Sequence, residues 1–95
     1  MGSANVLYKN KYNRFSDITN SFLVKPMTKR RYEKWRKKEY GPDCPLNESY
    51  FITIEEAVNM ICSNREYRDA IKVLREAKFL DKYTQGLVID YYLDI

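Results

Sequence analysis

No histidine occurs anywhere in this chain of 95 residues, and it holds only two cysteines, three glycines and three prolines. Each shortage removes a class of chemistry. Without an imidazole, no side chain carries the group that ordinarily moves protons near neutrality. Cys62 as a nucleophile would lack the base that activates a thiol, and no two carboxylates are placed together by the sequence. Cys44 and Cys62 have no ligand-type spacing, so they read as free thiols in a reducing compartment. The glycines form no phosphate-cradling loop. No apolar run approaches the ~20 residues of a membrane span, and no secretory signal is visible. Met1-Gly2 suggests myristoylation only until Val6, which stands where that motif wants Ser or Thr. Asn47-Glu48-Ser49 matches a glycosylation sequon, which has meaning only on a secretory route. The expectation is a non-enzymatic protein with no cofactor, metal site or membrane association. It would be cytoplasmic, or in the nucleoid or nucleus if it binds DNA.

What is present is charge, tyrosine and a globular share of apolar residues. At 44% hydrophobic residues, the length suits one domain with a modest core. Residues 1–50 carry 11 Lys and Arg against 5 acids, whereas residues 51–95 carry 6 against 8. A basic first half on an acidic second half implies an anionic partner for the former. Nine tyrosines suit either a small core or an interface.

Residues 1–27 read as an N-terminal arm or extension ahead of a domain at 28–95. Lys9, Lys11 and Arg14 alternate with Tyr8, Tyr12 and Phe15. That mixture suits an arm on phosphates with bases stacked on its rings, or rings that simply cover the core. Ser16 or Asp17 would cap a short helix through Phe22, and Phe22-Leu23-Val24 would be its end or a short strand. Pro26 discourages helix at Lys25.

The stretch from Thr28 to Glu39 predicts a helix with Thr28 as N-cap and Gly41-Pro42 as stop. Tyr32, Trp35 and Met27 would face the core. Seven of the ten residues Lys29 to Lys38 are basic and only Glu33 is acidic, a density whose i,i+4 repulsion an anionic partner would relieve. A loop containing Pro42, Pro45 and Asn47 follows, then a short β-prone run at Tyr50–Thr53. Thr53 with Glu56 forms a capping box, so a helix should begin at Ile54, with Ile54, Ala57, Val58 and Ile61 inward. Ser63 and Glu66 repeat the spacing and predict a second helix from Asn64 to about Lys78, whose Tyr67, Ile71 and Leu74 share one face. Two helices joined so closely suggest a helix–turn–helix. Beyond them, Gln85-Gly86 offers a tight turn. Alternation of Leu87, Ile89, Tyr91 and Leu93 then predicts the returning strand of a hairpin. A helical reading of 79–93 would instead align Leu80, Tyr83, Leu87 and Tyr91.

This order resembles a winged helix–turn–helix domain. Glu55 and Ala57 match the Glu-x-Ala opening of the first motif helix in many bacterial winged-helix repressors. The string Ile71-Lys72-Val73-Leu74-Arg75-Glu76-Ala77 is similar to the end of the recognition helix in ArsR-type repressors, and Leu87 to Leu93 is similar to their wing strand. The resemblance spans about 40 residues and implies an α+β, mainly helical fold with a C-terminal β-hairpin wing. If 79–93 is helical, an all-α small bundle replaces it. Ile61 or Cys62 stands where the motif turn usually has glycine. The metal-sensing cysteine pair is missing, so metal sensing is not implied.

The resemblance further implies double-stranded DNA as partner and a homodimer. Arg65 and Arg68 would read base edges. Asn64 would meet phosphate at the helix start, with Lys72 on the same face. Lys82 to Gln85 would form the wing tip, and Lys29, Arg30, Arg31 and Arg36 would anchor phosphates. Glu66, Asp69, Glu76 and Asp81 dilute this footprint. The competing expectation is therefore an interaction module that binds or inhibits a protein partner. Position decides between them: the basic helix and the reading helix on one face favour DNA, and on opposite faces they do not.

Overall fold

A computed structural model describes residues 2–41, 46 and 49–93. The chain runs β1 (Ser3–Tyr8), β2 (Lys11–Ser16), β3 (Ser21–Phe22), α1 (Lys29–Tyr40), β4 (Phe51–Ile52), α2 (Ile54–Ser63), α3 (Tyr67–Glu76) and α4 (Lys82–Leu93). The fold is a small α+β one with a four-stranded mixed sheet ordered β3-β2-β1-β4.

The segment read from the sequence as an arm supplies three of the four strands. β1 and β2 form a hairpin with Ser3 opposite Ser16 and Tyr8 opposite Lys11. Its two-residue turn is Lys9-Asn10, both at positive φ (50° and 63°), the conformation that matches the twist of flanking strands. No helix starts at Ser16 or Asp17. The Ser16 hydroxyl instead accepts from the backbone N–H groups of Ile18 and Thr19, at 3.2 and 3.4 Å, and turns the chain toward β3. Past β3 the buried Asn13 side chain takes over the pairing, donating to the Val24 carbonyl at 2.7 Å and accepting from its N–H at 3.3 Å. β4 closes the other edge, parallel to β1.

Side chains of a strand alternate between faces, and β1 uses both. Ala4 and Val6 point into the main core with Phe15, Ile52, Ile54, Ala57, Val58, Ile61, Ile71, Leu74, Phe79 and Val88. Asn5 points the other way and meets Tyr32 of α1. The sheet is thus sandwiched, with α1 on one face and α2, α3 and α4 on the other.

The capping box is present at α2: Thr53 Oγ1 accepts from Glu56 N at 3.1 Å, and Glu56 Oε1 accepts from Thr53 N at 3.0 Å. Gly41 ends α1 at φ 87°, as its sequence position implied, while Pro42, Cys44, Pro45 and the sequon residues Asn47 and Glu48 lie outside the described residues. The second box does not form. Ser63 donates to the Met60 carbonyl at 2.8 Å as the last residue of α2, so α3 starts at Tyr67 rather than Asn64. At its far end Lys78, at φ 64°, lets Phe79 N reach the Leu74 carbonyl at 3.0 Å, a left-handed closure made without glycine.

The expected hairpin wing is a helix. Residues 82–93 form α4, which carries Gly86 within it and buries Thr84 and Val88. A reciprocal cap outweighs the glycine: Thr84 N donates to Asp81 Oδ1, and Asp81 N to Thr84 Oγ1, both at 2.9 Å. The alternation from Leu87 to Leu93 was weak evidence for a strand, since Val88 and Tyr92 between those residues are themselves apolar or aromatic. The sheet equally removes the all-α bundle.

Candidate nucleic-acid interface

The sequence-expected DNA contacts fall on separate surfaces. Asn64 ends α2 as its C-cap. Arg65 is committed to the protein: its guanidinium donates to the carbonyls of Asn20 at 2.9 Å and Thr19 at 3.1 Å, so it staples the β2–β3 turn and is not a base reader. Tyr92 holds the same corner, its hydroxyl donating to the Arg65 carbonyl with the Cys62 carbonyl 3.2 Å away. Arg68 and Lys72 are exposed on α3, with Asp69 and Glu76 on the same short helix. Lys82 opens α4 and belongs to no wing.

Lys29, Arg30 and Arg31 are exposed on α1, but Arg36 is 8% exposed. Arg36 shares the inward face with Tyr32 and donates from Nη2 to Ser49 Oγ at 2.7 Å, which removes it from the phosphate anchors. Opposite that face, helical spacing sets Lys37, Arg30, Lys34, Lys38 and Arg31 on an arc of about 120° with no acid among them. All five are exposed. Their span from residue 30 to 38 is about 12 Å.

Beneath α1 lies a polar network that the sequence did not signal. Asn5 is fully buried. Its Oδ1 accepts from Tyr32 Oη at 2.6 Å and Arg14 Nη1 at 2.9 Å, and its Nδ2 donates to the Tyr50 carbonyl at 2.9 Å. Arg14 Nε donates to Ser3 Oγ at 2.9 Å, and the guanidinium lies 4.7 Å from the centre of the Tyr40 ring, a cation–π contact. Burial pushes the Tyr32 phenol up to about 12 against the opposing pull of Arg14. Rings continue along this side: Tyr12 stacks on Tyr32 and Tyr32 on Trp35, each at 5.6 Å, while Trp35 meets Tyr40 edge-on at 5.8 Å. The alternating Ser3–Tyr8 run before Lys9-Asn10 was the one available clue to this arrangement. Its Asn5 reads as an ordinary outward polar position of the alternation, which hides that it is buried.

Next to the network is a half-open cleft of about 650 Å³, within the usual size of a ligand site. Ala4, Phe15, Ile52 and Met60 form its apolar side; Ser3, Asn5, Arg14 and Tyr50 face it from the polar side, with Asp17, Arg36 and Ser49 also on its wall. Cys62 is buried on α2, and burial raises its thiol, the opposite of what a reactive cysteine needs. No helix among the described residues is long and apolar enough to cross a membrane. No protein family, curated protein or solved structure matches this chain.

Proposed function

We propose that the chain is a small non-enzymatic nucleic-acid-binding protein that holds the phosphate backbone with the outer face of α1. The observation that carries the reading is the acid-free arc of Arg30, Arg31, Lys34, Lys37 and Lys38. Such a concentration of like charge is costly unless an anion neutralises it. The winged-helix likeness enters only through α2 and α3, where Arg68 and Lys72 offer a weaker second contact. Because α1 and α3 lie across the sheet from each other, both cannot sit on one short stretch of duplex. The reading is accordingly one of backbone binding, with little base selection.

The test is fluorescence anisotropy with a labelled mixed-sequence duplex at ~50 and ~200 mM salt. Five phosphate contacts predict a loss of affinity of about 500-fold between those conditions. Replacing Arg30, Lys34 and Lys38 by Gln should flatten the logarithmic salt slope by about one per residue. Absence of binding at low salt to either duplex or single strands would overturn the reading. The separation of α1 and α3 favours a second one, an interaction module whose basic helix docks on an acidic protein face.

A further inference from the structure

We infer that the cleft at the end of α1 receives one unstacked nucleotide, so that the protein prefers single-stranded nucleic acid to duplex. This rests on the phosphate-binding reading of α1 and specifies its substrate.

A nucleotide combines a flat, largely apolar ring with an anionic phosphodiester, and the cleft presents surfaces for both. Half-buried Met60 offers an apolar contact at the cleft, with the buried side chains of Phe15 and Ile52 behind it. Tyr50 stands at the cleft with 69% of its surface exposed although it is a large aromatic. Its backbone carbonyl is fixed by Asn5, whose Nδ2 and backbone N–H both donate to it, at 2.9 and 3.0 Å. The ring is therefore an exposed platform on an anchored backbone, the arrangement on which bases stack.

Arg14 supplies the anion contact. Its Nε and Nη1 are spent on Ser3 and Asn5, and its plane is held against Tyr40. A guanidinium fixed in this way loses little side-chain freedom on meeting a phosphate. Tyr40, which it covers, is the last residue of α1, so the cleft continues from the helix that carries the five outward cations. A base paired inside a duplex cannot enter the cleft without unpairing.

The experiment compares a labelled oligothymidylate of twelve nucleotides with a fully paired hairpin duplex of matching charge, at one salt concentration. Each is titrated with the wild-type chain, Tyr50→Ala, Met60→Trp and the Arg30→Gln, Lys34→Gln, Lys38→Gln triple variant. Tyr50 acts through an exposed ring and Met60 through a half-buried side chain, and thermal unfolding of each variant confirms that it folds. The single strand is expected to bind at least tenfold tighter than the duplex. Tyr50→Ala should weaken it at least fivefold, the lower end of what one stacked base contributes. Met60→Trp, which fills the cleft, should do likewise. Neither should change duplex affinity, whereas the triple variant weakens both. Equal or tighter duplex binding, or a Tyr50→Ala loss shared equally by both probes, overturns the nucleotide-binding cleft and leaves the α1 reading standing. Failure of both probes to bind overturns the α1 reading itself.

Discussion

The hydroxyl of Tyr32 donates to the side-chain oxygen of Asn5 at 2.6 Å, and both residues are fully buried. This bond joins α1 to the centre of the sheet from the face opposite the main core. It explains how a helix with so few apolar residues keeps its place. Helix α1 commits Tyr32 and Arg36 inward and leaves its cations to solvent, so its attachment is polar where that of α2 is apolar.

Asn5 should accordingly matter more than its size suggests. Asn5→Ala strands two donors, Tyr32 Oη and Arg14 Nη1, each costing about 1–3 kcal/mol when left unsatisfied. We expect a loss of about 3 kcal/mol in urea unfolding, and for Tyr32→Phe about 1–2 kcal/mol, since Asn5 then keeps Arg14 as a partner. Equal losses for the two variants would mean that the bonds of Asn5 to Arg14 and to the Tyr50 carbonyl contribute nothing.

Asp81 sets the acid limb of stability. Burial pushes its carboxyl up, but Lys9, the Thr84 backbone N–H, Tyr8 and the Thr84 hydroxyl together hold it well below the usual carboxylate range. Lys9 Nζ lies 2.7 Å away and Tyr8 Oη donates at 2.6 Å. A depressed folded-state pKa contributes stability that is fully present above the unfolded value of about 3.9 and is lost as pH falls toward the folded value. Asp81→Asn keeps the cap of α4 and removes the charge. It should cost about 1–2 kcal/mol at pH 7, with the gap to wild type narrowing steadily below about pH 4. Unfolding curves at pH 7, 4 and 2.5 check this; a gap independent of pH would assign the loss to packing.

Arg65 separates folding from binding. With its guanidinium shared between the Thr19 and Asn20 carbonyls, Arg65→Ala should destabilise by about 1–2 kcal/mol. Arg65→Lys should recover little, because an ammonium lacks the planar fork. Duplex affinity below the unfolding transition should change less than twofold. A tenfold loss of affinity would return Arg65 to the nucleic-acid interface.

Some of this structure was legible residue by residue. Thr53 and Glu56 announce the start of α2 because a capping box is closed by groups three positions apart, a purely local requirement. The inward face of α2 and the inward Ile71 and Leu74 of α3 follow from helical spacing, whereas Tyr67 of the same stripe is exposed; the density of cations on α1 is visible in the sequence. The Asp81–Thr84 cap of α4 was equally local. A glycine within the helix and a weak alternation after it mask this cap by imitating a hairpin.

What the sequence by itself determined, then, is the helices α1 and α2, the charge of α1 and the shortage of groups for proton transfer and metal binding. Only the tertiary structure decided that β1 places Asn5 and Val6 on opposite faces, setting α1 apart from α3. The pairing of Asn5 with Tyr32 spans 27 positions and that of Arg65 with Asn20 spans 45. Bonds of that kind depend on how the sheet brings distant segments together. Hydrophobic periodicity records which residues seek burial and does not say which face of which strand will bury them.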